Sequence, residues 1–182
     1  MATLPRRAAL ALVLPAALVL AGCATKATAT NDRGDMNPSD LDFVASARNI
    51  IEFDREECTA AQTQARSPAV RALAAKLLAD ANAFDAKLQP ILVEAGISGP
   101  TALRSDLRVR LTHMRLQSGL DFDRSFIDDQ IATHQEIINR QQMMSGTPGM
   151  NAHIIELAQQ GAEILKRNLA ELRRLQREMM YA

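Results

Sequence analysis

Four helix-length stretches of this 182-residue chain place apolar side chains at alternating steps of three and four, which leaves few folds open. The first seam reads Val44, Ala47, Ile51, Asp54, Cys58, Ala61, Ala65, and the second Val70, Leu73, Leu77, Ala81, Phe84, Leu88, Ile91, Ala95. The third reads Ile127, Ile131, His134, Ile138, and the fourth Ile154, Ala158, Gly161, Leu165, Asn168, Leu172, Leu175, Met179. Such spacing puts each set on one helix face, and four such faces satisfy one another in a bundle. No stretch alternates with strand period, so the expected class is all-α. Asp54, Ala81, His134 and Asn168 fall near the middle of their seams, and midpoints share one cross-section in an up-down bundle, where such folds build metal and cofactor sites.

The beginning of the chain follows a different rule. Arg6 and Arg7 precede an apolar run, Ala8 to Leu20, of secretory-signal length and too short for a permanent membrane span. It ends in Leu20, Ala21, Gly22, Cys23, which resembles a bacterial lipobox. That resemblance implies a lipoprotein signal peptide over residues 1–22, cleaved before Cys23, with acyl chains (palmitate among them) on Cys23. Stable anchoring takes more than one acyl chain, which a lipoprotein N-terminus supplies. Ala24 stands where an aspartate would mark inner-membrane retention, so the expected location is the periplasm-facing surface of the outer membrane. Residues 23–38, rich in Ala, Thr, Asn and Asp, read as a lipidated tether. Residues 39–182 then form the single bundle domain.

Within that domain Ser39 is expected to cap the first helix, with Asp40 and Asp42 in its first turn. Ser67-Pro68 starts the second helix, and Pro90 is expected to kink it or restart its last turn. A short helix at about Ser105 to Leu116 interrupts the link to the third. Ser145-Gly146-Thr147-Pro148-Gly149 separates the third from the fourth.

Composition excludes several functions. Twenty-one basic residues balance 21 acidic ones and Trp is absent, so neither a nucleic-acid footprint nor an aromatic stacking platform is present. With Cys23 lipidated, Cys58 is the remaining thiol and reads as a small buried hydrophobe. Glu52, Glu56, Glu57, Glu163 and Glu171 mostly leave the seams and read as solvated. The chain carries no Glu-x-x-His pair of the kind that di-iron bundles use.

Several segments resemble one family. Asp42-Phe43-Val44, Ser67-Pro68-Ala69-Val70 and Phe122-Asp123-Arg124-Ser125-Phe126-Ile127-Asp128, with His134 beyond, are similar to the bacterial family called domain of unknown function 4142. The resemblance implies a ferritin-like four-helix bundle, exported and in some members lipid-anchored. It also implies an acid in the first helix, Asp-His pairs in the second and third, and a histidine in the fourth. This chain has Asp54 in the first and Asp80 beside Ala81 in the second. Thr133 precedes His134 in the third, and Asn168 takes the histidine's place in the fourth.

Two readings of that layer stand open. In one, Asp54, His134 as imidazolium and Asn168 form a hydrogen-bonded cluster that fixes helix register. The protein is then a non-catalytic structural or interaction component of the cell envelope, with no cofactor. Its partners would be the membrane and an envelope protein or a second copy. In the other, Asp54, Asp80, His134 and Asn168 hold a zinc or iron ion in an oxidative-stress protein.

Overall fold

In the computed structural model, which describes residues 36–144 and 147–180, every regular element is a helix. They are α1 (Pro38–Gln64), α2 (Pro68–Glu94), α3 (Ser105–Arg115), α4 (Gly119–Met144) and α5 (Ala152–Met180). None of the helices is long and apolar enough to cross a membrane, among the described residues. The signal peptide, Cys23 and nearly all of the tether lie outside those residues.

Asn37, not Ser39, caps α1. Its Oδ1 accepts from the Ser39 and Asp40 amides at 2.8 and 3.0 Å, and Asp40 Oδ2 accepts from the Asn37 amide at 2.9 Å. This reciprocal arrangement satisfies donors that a helix start leaves orphaned, and Pro38 occupies the first turn, where its missing N–H costs nothing. Met36 is already buried, so the folded unit begins ahead of the expected Ser39 boundary. Asp40 reaches further: its Oδ1 accepts from the Asn151 amide at 3.0 Å, while Asn37 Nδ2 donates to the Gly149 carbonyl at 2.6 Å. Both caps thereby tie the start of α1 to the α4–α5 turn. Gly149 adopts φ +81 there, a conformation that costs glycine little.

A second buried aspartate does the same at the opposite end. Asp123 accepts from the Arg66 and Ser67 amides, both at 2.8 Å, and so caps α2 from across the bundle. The Ser67 hydroxyl makes no capping bond. Two of the segments that carry the family resemblance therefore meet through this one carboxylate. Past this cap, α2 runs on through the exposed Pro90 to Glu94; a proline so near the end removes one bond of the last turns and does not stop the helix.

Core packing fixes the directions. One apolar cluster joins the ends of α1 and α5 to the starts of α2 and α4, with Phe53, Phe122, Phe126 and Leu172 at its centre. The other joins the starts of α1 and α5 to the end of α2, through Val44, Leu88 and Ile154. Hence α1 and α5 run one way, α2 and α4 the other. The link from α2 to α4 must travel the length of the bundle, which is the single long crossover of ferritin-like folds. Asn49 pins that link to α1: its Nδ2 donates to the Ala102 carbonyl at 2.9 Å and its Oδ1 accepts from the Arg104 amide at 3.1 Å. Beyond it, α3 presses Leu107, Leu111 and Met114 into the first cluster. Each large apolar side chain so buried contributes roughly 1.5–3 kcal/mol before chain entropy is set against it.

Candidate functional site

Between the two clusters the seams carry their polar residues, and there the packing opens into a cavity of about 90 Å³. Asp54, Asp80, Ala81, His134 and Asn168 all line it, so the four midpoints do share one space. Ala81 and Gly161 help to leave it open. A Cβ on Gly161 would lie 2.8 Å from Phe84 Cε2, so that ring holds its place only because α5 has no side chain there.

The bonds, however, differ from the expected Asp54–His134–Asn168 cluster. Asp54 accepts from Gln130 Nε2 at 3.3 Å. The same nitrogen donates to Glu57 Oε2 at 2.7 Å. His134 turns its Nδ1 to the Gln130 carbonyl at 2.9 Å, one helical turn back. Asn168 Oδ1 accepts from Lys76 Nζ at 3.3 Å, and Lys76 also pairs with Glu171 at 2.5 Å. Asp80 pairs with Arg167 at 3.2 Å. The predicted residues thus surround one cavity but do not bond to one another: Asp54 and His134 both turn to Gln130, Asn168 to Lys76 and Asp80 to Arg167.

Glu57 overturns its solvated reading. It is fully buried, one turn from Asp54, against the equally buried Gln130. Burial first, and then contact with the Asp129 carboxylate, push its carboxyl well above the usual range and so favour its protonated form. Its Oε1 accepts from no donor, and in the protonated form that burial favours it can donate toward Asp129. Arg110 of α3 holds Asp129 with Nε and a terminal nitrogen at 2.9 and 2.8 Å, and also donates to the Thr133 hydroxyl. The guanidinium carbon sits 4.9 Å from the Phe53 ring centroid, where its charge faces the ring quadrupole. On this side of the layer, Arg110, Asp129, Glu57 and Gln130 form one connected chain.

Charge on the cavity side follows from burial. Desolvation raises Asp54 to about 7, opposed by the Gln130 bond and reinforced by Asp129. Desolvation likewise lowers His134 to about 4, against the pull of the Gln130 carbonyl and of Asp80. His134 is therefore a neutral imidazole, not an imidazolium. With Nδ1–H donated to the carbonyl, Nε2 keeps a free lone pair. Cys58 is fully buried, burial pushes its thiol up, and it is inert.

Among the described residues, no three His, Cys, Asp or Glu side chains come together in a group that would hold a metal ion. The donor set does not fit a di-iron centre either: one histidine, no Glu-x-x-His, and an extra carboxyl, Glu57, whose burial favours its protonated form. Outside the layer, His113 and His153 are exposed, and Met144, Met150 and Met179 pack as partly buried filler.

Fold and site together define an all-helical bundle with a long crossover and a buried polar waist. The family described as "Domain of unknown function (DUF4142)" matches residues 25–175, and the chain belongs to it. No curated protein matches the chain. No solved structure matches it either.

Sequence reasoning missed Glu57, Gln130, Asp129 and Arg110. Two of them left a signal: Gln130 stands four residues before His134, and Glu57 three after Asp54, each on the flank of its seam. Arg110, on a short helix with no long seam, left none.

Proposed function

We propose that this protein is a non-catalytic structural or interaction component of the bacterial cell envelope, anchored by acyl chains on Cys23 and facing the periplasm from the outer membrane. The observation that carries the non-catalytic part is Gln130. One buried amide holds both acids of the waist, and its own carbonyl holds the histidine. Glu57 and one side each of Asp54 and His134 are thereby taken up, and among the described residues no nucleophile stands beside a base. The anchor rests on the Leu20-Ala21-Gly22-Cys23 motif and the tether behind it.

Two experiments test the reading. Full-length protein dialysed against zinc and iron should retain no stoichiometric metal, and His134→Ala should behave as wild type. One ion per chain that disappears in His134→Ala would establish the metal-binding alternative. Separately, Cys23→Ser should lose acyl labelling and leave the membrane fraction; unchanged fractionation would sink the anchor.

A further inference from the structure

The cavity has two polar ends. At one, Asp54 receives only the long bond from Gln130 and has no ion-pair partner among the described residues, and His134 keeps Nε2 unengaged. At the other, Gln141 is buried, lines the cavity, and leaves its Oε1 without a hydrogen-bond partner. Buried acceptors in native proteins nearly always find a donor. His134 Nε2 and Gln141 Oε1 accept, as does Asp54 once ionised, a form that a bound cation favours, so what completes them must donate at both ends.

Their spacing sets the shape. Gln141 follows His134 by seven residues on α4, two helical turns or about 10 Å. Gly161 precedes Asn168 by the same interval on α5. Ile50, Leu77, Phe84 and Leu165 supply apolar wall between the ends. Asp80 pairs with Arg167, Arg104 with Asp106, and Arg140 with the Ser46 hydroxyl, while the remaining carboxylate of the lining, Glu136, is exposed to solvent. Asp54, beside His134 and away from bulk water, is the carboxylate placed to meet a cation inside the cavity.

We infer that this cavity binds a linear aliphatic amine, its ammonium donating to Asp54 and His134 Nε2, its methylenes along the apolar wall, and a second donor at its far end meeting Gln141 Oε1. The inference goes beyond the envelope role proposed above and survives if the lipid anchor fails, since it depends on the cavity alone.

Calorimetric titration of the full chain with putrescine, butylamine and butanol tests it. Putrescine should bind saturably, butylamine about tenfold more weakly for want of the distal donor, and butanol more weakly still. Gln141→Leu should bring putrescine down to the butylamine level. Asp54→Asn should abolish the preference of butylamine over butanol. Ala81→Leu, which fills the cavity, should remove binding of all three. Each variant's helical circular dichroism and melting show that it is folded, and if Ala81→Leu is not, Asp54→Asn decides. No saturable heat with any amine, amine binding that persists in folded Ala81→Leu, or butanol as tight as butylamine would overturn the assignment.

Discussion

The two sides of the polar waist use similar residues to opposite ends. Toward α3, Glu57, Gln130, Asp129 and Arg110 are packed in one chain, with the Arg110 guanidinium bidentate on Asp129 and Gln130 on Glu57. Toward α2 and α5, Asp54 and His134 face open volume, each with a single bond. The lesson is that a carboxyl one helical turn away can serve a wholly different purpose. What decides is whether neighbouring elements bring enough donors to complete it, not the residue type.

The largest effect should come from breaking the packed side. Gln130→Leu leaves Glu57 without its donor in a dry interior and takes the one bond from Asp54. The expected loss is about 3 kcal/mol in urea unfolding, set by stranding a buried polar partner. A loss under about 1 kcal/mol would mean that water already reaches Glu57.

A second prediction separates the two sides by pH. Asp54 holds its proton to about 7 when folded, against 3.8 ordinarily. The unfolded chain therefore binds fewer protons between these values, and stability from this group falls as pH rises through that range. His134 works in reverse: lowered from 6.5 to about 4, it contributes stability above 6.5 that is lost as pH falls toward 4. The two oppose each other over most of pH 4–7. Asp54→Asn should remove the falling part, so that its unfolding free energy tilts upward with pH relative to wild type. Parallel profiles for the two proteins would show that Asp54 ionises normally in the fold.

The smallest effect concerns the open side. Gly161→Ala puts a methyl against Phe84, but that ring borders the cavity and has room to swing. Alanine also favours the helix by about 1 kcal/mol over glycine. Stability should change by less than about 1 kcal/mol in either direction, while the cavity shrinks. A larger loss would show that the ring is held rigidly.

Much of this architecture was legible in the sequence, and for a definite reason. Apolar spacing reports which face turns inward, and Asp54, Ala81, His134 and Asn168 accordingly line one cavity. The same spacing is silent about partners. It gave His134 a charge that burial denies it, and sent Glu57 to the solvent because a residue flanking a seam resembles a surface one. Arg110 and Asp129 meet through α3, whose position depends on the crossover and so on contacts such as Asn49 with Ala102. Asp40 and Asp123 looked like local helix-start acids or motif letters, yet their bonds span 111 and 56 or 57 residues. No local pattern encodes a bond of that separation.

The clasp at Asn37 and Asp40 has a mechanical consequence. Whatever pulls on the residues ahead of Met36 does not meet a free helix tip that can unravel turn by turn. Force entering there passes at once, through the Asn151 amide and the Gly149 carbonyl, to the corner between α4 and α5 on the far hairpin. Load is shared by the two halves of the bundle before any helix yields, and a leash fastened at this point would tug on the whole body.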